Sequence, residues 1–374
     1  MSRKRRRGSV IKGHGSHVPP GSAPGTLIPV PGSVAVKIDV LAYGPGDFLQ
    51  KEIAEVSELS DFIGKWPVVW VNVEGLGCPE KIQALGDLFK IHHLALEDII
   101  NVHERAKIER HGDDLFLVMH MVELGERLET EQLSMFTGKG FVVTFQEGPI
   151  DTLNPARERI RRGQGHIRQL GADYLVYSII DAVLDSYFPI LEDYGEILDA
   201  LEDDIIENPT SAVVADVHAV KRDLLVLRRA VWPLRESINS LIRDTETIFS
   251  EETRIHLRDC YDHAVRIIDF IETYRELAAD LMDIYLSSLS NRMNEVMKLL
   301  TIITTLFVPP TLVAGIYGMN FNTEISKWNM PELNWFFGYP FALALMLAMT
   351  LGVVGLLWYK GWLDVLNTRI NNRP

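Results

Sequence analysis

Ten residues between positions 283 and 315 recur at alternating steps of four and three: Asp283, Ser287, Ser290, Asn294, Met297, Thr301, Thr304, Val308, Thr311 and Gly315. That is the heptad period, so on a helix these residues form one continuous stripe. A coiled coil needs an apolar seam, yet most of this stripe is small or polar. Small polar side chains let helices pack closely in lipid. Alternatively, several copies of the helix turn the stripe toward a water-filled path. Close packing accounts for Ser, Thr and Gly but explains Asp283 and Asn294 poorly, so the pattern favours the path. Leu300, beside Thr301, is placed to form a dry constriction with Met297.

A second candidate is electrostatic. Between Ser186 and Glu207 there are eight acidic residues and no basic one, with Glu192, Glu196, Asp199, Asp203 and Glu207 on one helical face. Such a face is either a solvated surface or a collector of cations. His92, His93, His103, His111 and His120 invite a metal reading, but no two of them have the i, i+4 spacing of a paired zinc site. No glycine-rich phosphate loop, nucleophile elbow or paired-histidine motif occurs, and no two carboxylates are marked as an acid/base pair. The residues therefore point to transport without covalent chemistry, not to an enzyme, and to no organic cofactor.

Composition agrees. The chain has 374 residues, with 37 basic and 51 acidic, a net charge of −14. Residues 1–33 hold six bases (Arg3, Lys4, Arg5, Arg6, Arg7 and Lys12) and no acid, leaving 31 basic against 51 acidic residues, or −20, for the rest. A body this acidic does not suit nucleic acid, which needs a basic face. Cys78 and Cys260 stand far apart and form no redox or metal spacing, which fits a reducing compartment.

The elements that must position these residues divide the chain as follows. Residues 1–33, rich in Gly and Pro, are expected to be a disordered basic tail. In 34–155, short β-branched and aromatic runs (34–40, 68–73, 115–119 and 141–145) predict strands, with short helices over 79–89 and 94–101, giving a cytoplasmic α/β domain. Residues 156–250 read as a long acidic helical hairpin: one helix over 172–207, stopped by Asn208-Pro209, and a return helix over 211–242. From 251 to 317 the helical pattern is unbroken. At roughly 1.5 Å per residue it would span about 100 Å, so this stalk must continue into a membrane-spanning helix. An external loop covers 318–334, a second spanning helix 335–359, and a cytoplasmic tail 360–374. Trp328, Trp335, Phe336 and Tyr339 mark one interface, and Trp358, Tyr359 and Trp362 the other. The loop carries Glu324 and Glu332 against Lys327, and the tail Lys360, Arg369 and Arg373 against Asp364. The more basic side is normally cytoplasmic, so both termini are expected inside a multi-pass protein of the inner (plasma) membrane. Two spans cannot enclose an aqueous channel, so a water-filled path requires a homo-oligomer. Pro309-Pro310 removes backbone hydrogen bonds from the first span, and neighbouring copies are the natural repair.

The first span ends in Tyr317-Gly318-Met319-Asn320-Phe321, and Met330-Pro331-Glu332-Leu333 precedes the second. With Leu96-Glu97-Asp98-Ile99, Asp259-Cys260-Tyr261-Asp262-His263, Tyr285-Leu286-Ser287-Ser288 and Asn294-Glu295-Val296-Met297-Lys298, this arrangement resembles the CorA family of magnesium and cobalt transporters. The resemblance covers roughly residues 35–360. It implies a funnel-shaped homopentamer that passes divalent cations through the bilayer, with the first span of each subunit lining the pore. Gly318, Met319 and Asn320 would form the selectivity filter. Asn320 would stand at the mouth, followed inward by Gly315, Thr311, Val308, Leu300, Met297, Asn294 and Asp283. Mg2+ dehydrates reluctantly, so a ring of neutral asparagine oxygens would accept hydrogen bonds from the waters of a hydrated ion. Glu324 and Glu332 would concentrate cations outside. The resemblance also implies regulatory Mg2+ held between subunits by Asp98 and Asp259, with Glu97 and Asp181 as a second site. Bare facing carboxylates would repel by roughly 1 to 4 kcal/mol per pair at about 4 Å and loosen the funnel when cytosolic Mg2+ falls. The expected function is Mg2+ influx down the electrochemical gradient, with Co2+ and Ni2+ as further candidates. The alternatives are a Zn2+ transporter of the same superfamily and a membrane-anchored divalent-cation sensor or scaffold. Three positions depart from the family pattern: a longer loop between Asn320 and Met330, scattered bases in the tail, and Met293 where some members have threonine.

Overall fold

Val68-Val69-Trp70-Val71-Asn72-Val73 carries bulky side chains on both faces, which suits a strand covered on both sides. In the computed structural model, which describes residues 25–28, 33–102, 104–244, 248–322, 324–326 and 328–362, it is the buried strand β3 (Val68–Glu74). Around it lie β1 (Lys37–Tyr43), β2 (Phe48–Ile53), β4 (Lys107–His111), β5 (Asp114–Leu124), β6 (Leu128–Gly138) and β7 (Phe141–Gln146). The sheet order is β2-β1-β3-β7-β6-β5-β4. Every neighbouring pair is antiparallel except β3 and β7, which run parallel with Val71 opposite Val143. Trp70 is fully buried. Its indole N–H donates to Thr144 Oγ1 at 2.9 Å, and that hydroxyl donates to Asn72 Oδ1 at 2.7 Å, so the polar atoms taken out of water are repaid.

Helices α1 (Pro79–Phe89) and α2 (His93–Ile100) share a core with one face of the sheet. They approach closely because Gly86 has no side chain where Leu96 packs against it. Three strands lie outside the sequence reading. β2 and β4 are edge strands, β2 with largely exposed side chains and β4 with polar, half-buried ones. Central β6 buries Glu131, Gln132, Ser134 and Thr137, so its hydropathy conceals its position.

Helices α3 (Asn154–Arg162), α4 (Ala172–Asp185), α5 (Tyr187–Glu207) and α6 (Ser211–Asp244) follow. The single helix expected over 172–207 is interrupted at Ser186. Pro189 has no N–H to give the Asp185 carbonyl one turn earlier, and the Ser186 hydroxyl donates to the Val183 carbonyl instead at 2.7 Å. This stretch is long and apolar enough to cross a membrane, but 72% of its most apolar window is buried inside the protein. It packs on β6 and β7 through α4 and on β5 through α5.

Helix α7 runs without interruption from Glu251 to Tyr317, through Pro309 and Pro310. The chain divides within it into two units, 1–283 and 284–374. In the first unit, α7 buries Leu257, Cys260, Ala264, Ile267, Ile271, Ala278 and Leu281, an apolar seam of the ordinary kind. Thr253 Oγ1 donates to Asp173 Oδ2 of α4 at 2.8 Å, and Glu272 pairs with Arg228 of α6 at 2.8 Å. In the second unit, Gly318 N–H donates to the Ala314 carbonyl at 2.9 Å and Met319 N–H to the Ile316 carbonyl at 3.1 Å, closing α7. A short 3-10 turn (Pro331–Asn334) leads to α8 (Gly338–Tyr359). The expected start at 335 moves to 338, where Gly338 lies against the Glu332 carbonyl too closely for any side chain. Both α7 and α8 are long and apolar enough to cross a membrane. The basic residues of 1–24, together with His103, Lys327, Asp364, Arg369 and Arg373, lie outside the described residues.

Candidate functional site

The stripe on α7 is uncovered within one chain. Asp283, at the end of the first unit, is exposed; so are Ser287, Ser290, Asn294, Met297, Thr301, Thr304, Val308, Thr311 and Gly315 in the second, as is Leu300 beside it. The hydroxyls of Thr301, Thr304 and Thr311 donate to the carbonyls of Met297, Leu300 and Phe307 at 2.7 to 2.9 Å. Each threonine has therefore committed its proton to its own helix, and what remains is an oxygen able to accept. Such oxygens suit the waters around a cation, whose protons point outward. Thr304, Val308, Thr311, Gly315, Phe307 and Met319 line part of an open groove of about 720 Å³ along this helix.

Asn320 follows the last turn of α7 and is exposed, as is Glu324; Glu332 is half-buried in the 3-10 turn. The loop between Asn320 and Met330 has internal order that the sequence did not announce. Asn322 Oδ1 accepts from Glu324 N–H at 2.8 Å, and the Asn322 carbonyl accepts from Asn329 Nδ2 at 2.7 Å, an arrangement typical of asparagine in turns.

The four carboxylates expected to hold regulatory Mg2+, Glu97, Asp98, Asp181 and Asp259, fall into two places. Glu97 and Asp98 are neighbours on α2. Glu97 Oε2 accepts from the backbone N–H of Gly25 at 2.7 Å. Asp98 Oδ2 meets Lys107 Nζ of β4 at 2.6 Å; Lys107 also stands 2.9 Å from Glu109 and 3.9 Å from Glu104. Buried Gln132 of β6 fixes the surroundings: its Nε2 donates to the Asp98 carbonyl at 2.8 Å, and its Oε1 accepts from Glu104 N–H at 3.1 Å. Burial pushes the Asp98 carboxyl above the usual carboxylate range, against the pull of Lys107 and with help from Glu109 and Glu97.

Asp181 of α4 is buried and pairs with Arg159 at 2.9 Å. One turn on, Asp185 joins it, and His263 of α7 completes a group whose ligand atoms all lie within 4.8 Å of one another. His263 Nε2 is 3.9 Å from Asp259 Oδ2, and its Nδ1 is 3.8 Å from Asp185. That Nδ1 is buried and has no hydrogen-bond partner. Burial, then Asp181, raises the Asp185 carboxyl, and burial raises the Cys260 thiol below it, with Asp181 and Asp259 adding to the effect. The carboxylate oxygens suit Mg2+, whereas the imidazole suits a transition ion such as Co2+, Ni2+ or Zn2+. Asp259 stands beside His263 but, among the described residues, outside the group that Asp181 and Asp185 form with it. Among the described residues, Glu97 and Asp98 are not part of that group. Asp185 and His263 are the residues that sequence reasoning missed. Their signal was present as two helical i, i+4 pairs, Asp181 with Asp185 and Asp259 with His263.

Residues 67–360 match the family model described as CorA-like Mg2+ transporter protein. The chain is 42% identical over 348 residues to the cobalt/magnesium transport protein CorA of Thermotoga maritima, a match covering 92% of this chain and 97% of that protein. It is 33% identical over 302 residues to the putative metal ion transporter YfjQ of Bacillus subtilis, covering 80% and 91%. Among solved structures, the complete CorA magnesium transporter of Methanocaldococcus jannaschii matches with a TM-score of 0.72 at 22% identity, over 88% of this chain and 99% of that one. This last likeness is one of fold.

Proposed function

We propose, for a chain that belongs to the CorA-like Mg2+ transporter protein family, that its substrate is Mg2+ and that the ion passes hydrated along the α7 stripe of a homopentamer. Family membership supports divalent-cation transport as the general activity, with no enzymatic step. The observation that carries the finer reading is the Gly318-Met319-Asn320 triplet closing a helix whose polar stripe is uncovered in a single chain.

Gly318 and Met319 finish the last turn of α7 and hold the chain where Asn320 leaves it. Five Asn320 amides would offer neutral oxygens to the waters of the ion. Aspartates there would hold a divalent cation too firmly to release it. Inward, Gly315 leaves room, and Thr311 and Asn294 repeat the acceptor contact. Val308, Leu300 and Met297 narrow the path with apolar surface, while Asp283 draws the cation electrostatically. Glu324 and Glu332 raise cation concentration at the outer mouth. Both termini would lie in the cytoplasm, and across a polarised plasma membrane the potential alone drives passive flow of a divalent cation inward.

Regulation would rest on Asp98 with Asp259, and on Glu97 with Asp181. These carboxylates would hold Mg2+ from the cytosol across subunit boundaries, and their mutual repulsion would loosen the assembly when the ion is scarce. Co2+ and Ni2+, octahedral aquo-ions of similar size, would pass the same rings. Flux of Mg2+, Co2+ and Zn2+ into proteoliposomes, beside Asn320→Ala, tests the proposal. Mg2+ flux should be lost by tenfold or more in the variant. No flux of any ion across a range of internal Mg2+ would leave the protein as a membrane-anchored sensor.

A further inference from the structure

Lys107 stands where a cation would be expected to stand. Its ammonium lies 2.6 Å from Asp98, 2.9 Å from Glu109 and 3.9 Å from Glu104, so three carboxylates converge on one internal positive charge. The placement is rigid. Lys107 sits on β4 in register with Val118 of β5, its ammonium is 6.0 Å from the centre of the Phe116 ring, and only a fifth of its side chain is exposed. Gln132 grips the backbone at both Asp98 and Glu104, so the main chain carrying these two carboxylates is fixed beside the lysine.

We infer that Lys107 is a tethered competitor that sets the Mg2+ concentration at which Asp98 takes a divalent cation. This rests on the reading of Asp98 as a regulatory ligand. The physical reason is direct. A divalent ion arriving at Asp98 must displace a close ion pair and then remain beside the displaced positive charge. Both effects weaken binding. The same lysine keeps Asp98, Glu104 and Glu109 from repelling one another while no ion is bound, so the site is held ready without being held tightly. A sensor of a cation as abundant as cytosolic Mg2+ needs weak, reversible binding, and an internal counter-ion supplies that without removing a ligand.

The test uses the full-length protein in detergent, with the Mg2+ concentration giving half-maximal protection from chymotrypsin as readout. Lys107→Met should lower that concentration about tenfold, equivalent to ~1.4 kcal/mol, and Lys107→Arg, which keeps the charge, should leave it within about twofold. A lysine with a merely structural role would weaken protection when removed, so tighter response is the distinguishing sign. Should the Met variant not fold, Lys107→Gln, which keeps a donor toward Asp98, carries the same expectation. Asp98→Asn is run in parallel. If Asp98→Asn shifts the midpoint upward and neutral residues at 107 do not lower it, the inference about Lys107 is overturned while the reading of Asp98 stands. If Asp98→Asn changes nothing, both are overturned.

Discussion

The two units of this chain treat buried and exposed surface in opposite ways. Trp70 in the first unit is 0% exposed and hydrogen-bonded, whereas Trp328 in the second is 92% exposed. The same contrast runs along α7. Its first half buries a regular apolar seam, and beyond Asp283 its large side chains, Met293, Val296, Phe307 and Leu312 among them, lie open. A water-soluble protein rarely leaves so continuous an apolar surface uncovered. The first unit buries most of its apolar side chains within one chain; the second presents apolar surface to be met by lipid or by other copies.

The contrast can be attacked from both ends. The largest effect should come from Trp70→Ala, which removes a buried ring and the N–H that Thr144 Oγ1 accepts from; it should cost about 3–5 kcal/mol in urea unfolding of the first unit. Trp328→Ala should leave that unfolding unchanged, and a comparable loss there would mean that the two units are not distinct. Next, Thr311→Val keeps the shape of the side chain but deletes its oxygen. Mg2+ flux in proteoliposomes should fall several-fold with no change in thermal stability. Unchanged flux would remove Thr311 from the path.

A smaller effect concerns pH in the first unit. Because burial raises the Asp185 carboxyl in the folded state, the folded protein favours the protonated form. This contribution to stability is present below the carboxylate range and is lost as pH rises through it. With chelator present, Asp185→Asn should therefore raise the melting temperature by a degree or two at neutral pH, with the gain vanishing in acid. A gain that persisted in acid would assign the effect to packing. The smallest effect is that of Glu324→Gln, which should slow influx less than twofold at low ionic strength and not measurably at high salt.

Much of this molecule is legible from its residues, and what was not has physical reasons. Helix α7 was readable to its last residue because nothing between Glu251 and Tyr317 interrupts the pattern except Pro309-Pro310, which the helix absorbs. Strand β6 was not, since Gln132 and its buried polar neighbours gain their stability from partners distant in sequence. The break at Ser186 was readable in principle from Pro189, since a proline in the interior of a helix over 172–207 removes a backbone hydrogen bond there. The stripe was visible as spacing. The Asp181–Asp185–His263 group needed the fold, because α4 and α7 are separated by two long helices in the chain. Lys107 as the partner of Asp98 needed it too, since nothing in Ala106-Lys107-Ile108 distinguishes that lysine from a solvated one.

The threonines of α7 have a further consequence. A proton crosses a membrane by hopping, and a side chain can relay it only by accepting one hydrogen while releasing another. Thr301, Thr304 and Thr311 have their hydrogens engaged by carbonyls one turn back. In this arrangement they cannot serve as stepping stones. A wall made of them would offer acceptors to an ion's waters without itself handing protons along, and a proton on the same route would have only the water to travel through.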